Sequence, residues 1–337
     1  VSKREAWRLI EEVERTFTNY GAPPCKVDEE KLRELERDAA KHGIKFIPAR
    51  QTHIGSDHLP AIIEKFKQEL EAAGVKFLLN TKVHDLVIES GKTRKVLTSK
   101  GSIDGDYFLI AVGRNGFEWF NSFVKRNGLK FSYNPIDVGV RVEVLSDVFN
   151  DLTNFYGVWD PKFHIRTPSY DDFVRTFCTN PSGFVVKEWY GNSLVGVNGH
   201  AMRDKKSMNT NFAFLVRVDL TQPLENTSLY GKRIVQLANT LGGGKPLLQR
   251  LGDLRRNRRS TWQRISKSYV KPTLTDVTPG DIAMAYPSRV VRNILEGLEM
   301  LEKVIPGICS DSTLLYAPEV KFYSIRLRTT RSLQSVD

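Results

Sequence analysis

Ala6, Leu9, Ile10, Val13 and Phe17 recur at intervals of three and four, which predicts a helix over 4–17. A second, strongly charged helix over 28–42 places Leu32, Leu35 and Ala39 on one stripe and stops at Gly43. A third, over 59–73, stops at Gly74. The run 44–47 between them reads as a short strand. From 75 onward the apolar runs shorten to strands over 75–79, 82–89, 95–99 and 106–112, with turns at Ser90-Gly91 and Lys100-Gly101. Asp106-Tyr-Phe-Leu-Ile-Ala-Val-Gly113 is almost continuously apolar and ends on glycine. That is the pattern of a central parallel strand buried on both faces.

Beyond Asn115-Gly116 the pattern alternates. It predicts strands over 138–144, 173–178, 183–189, 194–198 and 213–218, with a hairpin turn at Gly191-Asn192. A helix over 229–241 is stopped by Gly242-Gly-Gly-Lys245, which lacks the spacing and the Ser/Thr of a phosphate loop. A last helix over 287–304 turns Val290, Val291, Ile294, Leu298 and Leu301 to one side, and two short strands follow within 313–327.

Composition changes this picture little: the 337 residues are 40% hydrophobic and 26% charged, an ordinary globular balance. No apolar run reaches the roughly 18 residues that span a bilayer, and positions 1–30 are charged and helical, unlike a signal peptide. The expectation is a cytoplasmic protein. Cys25, Cys178 and Cys309 are far apart and form no metal-ligand spacing, so no metal site is expected. The net charge of +11 admits an anionic partner. Its densest part is Arg255, Arg256, Arg258, Arg259 and Arg264, but no nucleic-acid motif accompanies it, so nucleic acid is the alternative partner and a small molecule the first.

The stretch Gly74-Val-Lys-Phe-Leu-Leu-Asn-Thr-Lys-Val83, the strands after it and the closing Ala111-Val-Gly-Arg114 resemble flavoproteins of the glutathione-reductase type. Thr52-His-Ile-Gly-Ser-Asp57, Asp137-Val-Gly-Val-Arg-Val-Glu143, Thr176-Phe-Cys-Thr-Asn-Pro-Ser-Gly183, Asn198-Gly-His200 and Leu241-Gly-Gly-Gly244 extend the resemblance. Together they are similar to a family of uncharacterised FAD-dependent dehydrogenase-like proteins. The resemblance implies an α/β plus α+β fold. A partial Rossmann-like FAD-binding domain with a β-meander occupies 1–118, an inserted, mainly antiparallel substrate domain 119–285, and a return to the first domain 286–337. It implies an oxidoreductase using FAD, with NAD(P) as electron donor or acceptor. Thr81, Val83, Ala111, Gly113 and Arg114 would form the cofactor wall.

Two family segments have no counterpart in the sequence: the GxGxxG turn that brings a diphosphate to a helix N-terminus, and the closing Gly-Asp/Glu-Gly-Ala-Gly stretch. The resemblance therefore implies an interior part of such a protein, with a weak hold on flavin.

Three residues are catalytic candidates. His53 carries the side chain whose ordinary pKa lies near neutrality, which suits proton transfer. Asp57 in the same loop offers a carboxylate, with capping of the helix from 59 as its structural alternative. Arg141 alternates with valines on its strand and suits an acidic substrate, with a surface pair to Glu143 as the alternative.

Overall fold

The computed structural model describes residues 2–26, 28–113, 116–191, 193–221, 225–323 and 325–336. They form two compact units. One comprises 1–66, 136–218 and 228–321, the other 67–135, 219–227 and 322–337.

The larger unit is built on an eight-stranded sheet. Its order is Lys45–Ile47, Lys162–Arg166, Phe173–Asn180, Asn209–Val218, Ile136–Leu145, Leu314–Lys321, Leu247–Arg250 and Thr278–Pro279. Every pair is antiparallel except the last. The expected antiparallel strands are all present. Two elements expected in the partial Rossmann-like domain belong to this unit instead. Lys45–Ile47 pairs with Lys162–Arg166, and helix Ser288–Leu301 packs on the sheet. Their apolar faces match the buried face of the sheet, which is what decides where they dock.

The pleat sorts the central strand Ile136–Leu145 into two chemistries. Val138, Val140, Val142 and Val144 lie on one face with Phe212, Phe214 and Val216 of the neighbouring strand, all buried. Helix Ser288–Leu301 covers that face with Val290, Ile294, Leu298 and Leu301. Gly297 permits the approach, because a Cβ there would stand 2.8 Å from the Phe214 ring.

The opposite face carries Asp137, Arg141 and Glu143, also buried. It is covered by the hairpin Phe184–Tyr190 with Leu194–His200, whose turn includes Gly191 at φ 66°; Asn192 lies outside the described residues. Two glycines let the hairpin down onto polar groups. A Cβ on Gly196 would meet the Pro318 carbonyl at 2.6 Å, and one on Gly199 the Asn211 amide oxygen at 2.2 Å.

Arg141 is 0% exposed and uses all its N–H groups. Nε and Nη2 donate to the two carboxylate oxygens of Glu319 at 2.8 and 2.6 Å. Nη1 donates to the Cys178 carbonyl at 2.8 Å and the Asn211 amide oxygen at 3.3 Å, and Nη2 also reaches Asn198 Oδ1 at 2.9 Å. Lys321, 2.8 Å from Glu319, adds a second buried cation. The expected surface pair between Arg141 and Glu143 does not form. Glu143 instead accepts from the Tyr316 and Thr273 hydroxyls, and burial pushes its carboxyl up against those bonds. The sequence pattern of alternating polar residues is the same for a solvated face and for one roofed by a distant hairpin.

The smaller unit is a three-stranded meander, Val83–Glu89, Lys92–Thr98 and Gly101–Asp104. The last strand begins at Gly101, read as part of a turn, and runs on through residues to which no element was assigned. Helix Phe117–Arg126 supplies Phe123 and Val124 to a small core with Ile325, Leu86 and Phe131. The expected strands over 75–79 and 106–112 are not formed, and among the described residues no parallel sheet of Rossmann type surrounds them. Leu79 is 64% exposed, Tyr107 90% and Leu109 91%. A parallel strand needs paired neighbours and helices over both faces. Among the described residues neither run has such a pairing.

Arg141→Met should destabilise the chain by about 3–5 kcal/mol, since it takes from the buried Glu319 carboxylate its bidentate partner. Adding Glu319→Gln should recover at least half of that loss. Urea unfolding of the wild type and the two variants measures both values.

Candidate functional site

Two places gather the candidate residues, one in each unit. In the smaller unit a hollow of about 720 Å³ is lined by Val83 and Ala111, with Leu86, Phe108, Val112 and Trp119 completing much of its apolar wall and Lys82 adding a cation. The meander sets Val83 at the start of its first strand, and Trp119 is fixed there by its indole N–H, which donates to the His84 carbonyl at 2.8 Å. Thr81, next but one to Val83, donates to the Leu79 carbonyl at 3.1 Å, which also receives the Lys100 ammonium at 3.0 Å. Gly113 adopts φ 60° with open space where a Cβ would stand, so its backbone is accessible. Arg114 lies outside the described residues.

In the larger unit, the loop 49–58 straps together three other segments. The Gln51 side chain donates to the Asp160 carbonyl at 2.7 Å and accepts from the Asp160 N–H at 2.8 Å. Beside it His53 stacks on Trp159 with ring centroids 4.1 Å apart. The Lys206 ammonium stands 5.1 Å from the same indole. Burial of the ring, helped by Lys206 and Arg203 and opposed by Asp57, depresses His53 to about 4. Its Nε2 is buried with no hydrogen-bond partner.

Asp57 is engaged with a segment distant from the helix Leu59–Ala72. Its carboxylate accepts the backbone N–H groups of Arg203 at 2.8 Å and Asp204 at 3.0 Å, which hold it at about 2. Gly55 makes this possible: at φ 95°, a Cβ would fall 2.5 Å from Asp57 Oδ1 and 2.9 Å from the Arg203 backbone nitrogen.

The strap connects to the buried arginine. Asp160 Oδ1 accepts the Thr179 N–H at 2.9 Å, and the carbonyl of the preceding Cys178 is held by Arg141 and by the Asn180 amide, each at 2.8 Å. Cys178 has φ 50°, a left-handed conformation that a non-glycine residue adopts only when its surroundings enforce it. His53 and Asp57 thus share a loop docked on 159–160 and 201–204. Arg141 meets that assembly through backbone groups, its guanidinium closed to solvent. Sequence reasoning missed Trp159, Glu319 and Asn211, because the pairings that involve them span distant positions. Only Gly199 beside Asn198 gave a local signal of close approach.

The basic cluster behaves as structure. Arg255 donates to the Cys309 carbonyl, Arg256 to the Gly252 carbonyl, Arg258 to Asp253 and Arg264 to the Arg259 carbonyl.

Residues 135–322, more than half the chain, match the family described as FAD-dependent protein, C-terminal domain-like. The chain belongs to this family. The matched stretch contains most of the large antiparallel sheet and its covering hairpin. The chain is also similar to an uncharacterized protein of Clostridium beijerinckii (strain ATCC 51743 / NCIMB 8052), 24% identical over 326 residues. That alignment covers 91% of this chain and 59% of the relative, so the chain spans about three-fifths of its length. Family membership connects the chain with FAD-dependent proteins. Among the described residues no helix is long and apolar enough to cross a membrane.

Because His53 is held neutral in the fold, the unfolded chain binds more protons between about 4 and its ordinary 6.5. Stability should therefore fall as pH drops through that window. The half-exposed ring limits the loss to roughly 1 kcal/mol. His53→Phe, which keeps the stack, should remove this part of the pH dependence in urea unfolding at pH 7 and pH 4.5.

Proposed function

We propose that this protein works as an FAD-dependent oxidoreductase on a small organic substrate; the proposed cofactor residues lie in the meander unit, and the proposed substrate residues in the antiparallel unit. The family match over 135–322 carries the reading. Bound flavin would supply the hydride chemistry, and the chain's residues would bind and orient.

The apolar hollow suits the adenine end of the dinucleotide. Val83 and Ala111 offer flat contact, Lys82 a cation for phosphate, and Gly113 a backbone that a ribose or phosphate can approach closely. Thr81 and Arg114 complete the proposed wall. The sequence provides no GxGxxG turn for the diphosphate, so adenine contacts would dominate the affinity of this chain for FAD.

On the substrate side His53 is the proposed acid–base residue. Desolvation keeps its imidazole neutral at physiological pH, and its unpartnered Nε2 retains the capacity to exchange a proton. Asp57 and Arg141 are proposed as positioning residues. Asp57 fixes the His53 loop against 203–204, and Arg141 fixes the Cys178 carbonyl beside the Asp160 segment on which His53 stacks.

Titrating FAD with the chain should quench flavin fluorescence. Val83→Asp, at a 38% exposed position, should weaken that binding at least tenfold while leaving the melting temperature unchanged. Absence of quenching at FAD concentrations up to the millimolar range, or equal affinity in the variant, would overturn the proposed wall.

A further inference from the structure

The polar face of the large sheet changes character towards its Lys45 edge, where the covering hairpin gives way to cations and two phenyl rings. Register places Lys45 opposite His164, and His164 opposite Arg175. Lys162 and Arg166 flank His164 at two residues' distance on the same face of its strand, as Phe173 and Phe177 flank Arg175.

The Lys162 and Arg175 cations stand 4.7 and 4.9 Å from the centre of the Phe177 ring. Those of Arg166 and Arg217 stand 5.8 and 5.1 Å from that of Phe173, which His164 also meets edge-on at 4.8 Å.

Carboxylates do not balance this cluster. Asp137 holds Arg175 and lies 4.0 Å from Arg217, Asp160 holds Lys162, and the nearby Asp172 is bound by Arg289 and Asn293. Among the described residues no ion pair is formed by Lys45 or Arg166, whose guanidinium donates to the Asp171 carbonyl. Lys45 and Arg175 stand on either side of His164, and like charges held this close across strands repel. The cluster is felt by His164, which is pushed down by burial and then by Arg175, Lys45, Arg217 and Lys162. A row of cations maintained against that repulsion has a use when an anion lies across it.

The dimensions select the anion. Adjacent strands are about 4.8 Å apart, so the row from Lys45 to Arg175 spans roughly 10 Å. That is room for two linked phosphates and short of the several-nucleotide track of a single-strand binder. The half-buried phenyl rings, already bordered by these cations, put an aromatic surface for a base within reach of its phosphates.

We propose that this sheet face binds a nucleoside diphosphate, its phosphates across Lys45, His164 and Arg166 and its base against the Phe173 ring. The inference stands on the strand register and the charge cluster of the larger unit, independently of the FAD wall.

Calorimetric titration of the whole chain at low salt with ADP, inorganic pyrophosphate and adenosine tests it. ADP should bind at least tenfold more tightly than pyrophosphate, and adenosine should not bind. ADP affinity should fall steeply with salt and drop at least tenfold in Lys45→Ala/Arg166→Ala, two exposed positions whose loss leaves the melting temperature unchanged. ADP should also raise the His164 titration midpoint in proton NMR. No ADP binding, equal affinity in the double variant, equal binding of pyrophosphate, or binding only of oligonucleotides would each overturn the proposal. So would loss of ADP binding in saturating FAD, which would make this face the flavin's own.

Discussion

The bidentate pair between Arg141 and Glu319 is the constraint around which the larger unit is arranged. Two charges removed from water need excellent geometry and further hydrogen bonds to be tolerated. Here they bring together the central strand, the strand next to it, the covering hairpin and the left-handed turn of backbone at Cys178. Hydrophobic burial on the valine face would accept many small shifts of the sheet. The guanidinium accepts few, because each of its donors has a directional partner. The polar face therefore specifies register where the apolar face supplies the driving force.

That specification reaches the candidate site. With its carbonyl held by Arg141 and Asn180, Cys178 keeps a left-handed backbone, and the following N–H is aimed at Asp160. Asp160 in turn anchors Gln51, two residues before His53. A residue on a loop is thereby given the precision of a residue on a strand.

The long helices and most antiparallel strands were legible because their signals are local, whereas the helix Phe117–Arg126 and the strands Lys162–Arg166 and Leu247–Arg250 went unread. Period 3.6 marked the stripe of Leu32, Leu35 and Ala39, and period 2 marked the valines of Ile136–Leu145. The Gly243 and Gly244 stop was likewise visible, and both adopt the positive φ it requires. What was hidden depends on distant partners. Alternation places Arg141 and Glu143 on one face but says nothing of the hairpin that roofs it. The apolar run 106–112 has strand composition, yet composition does not pair a strand. In the loop, His53 and Asp57 were recognisable by residue type, whereas the stacking partner Trp159 and the amides that hold Asp57 lie far along the chain.

The exposed runs in the meander unit bear on how the molecule moves. Its core is a few side chains around Phe123 and Val124, against an extensive buried sheet in the other unit. Local opening free energies follow buried contacts. Amide protons of the meander should therefore exchange with solvent through frequent partial openings, while those of the Ile136–Leu145 strand wait for global unfolding. A single unfolding free energy then describes the sheet and its roof, and the meander leads a looser thermodynamic life of its own.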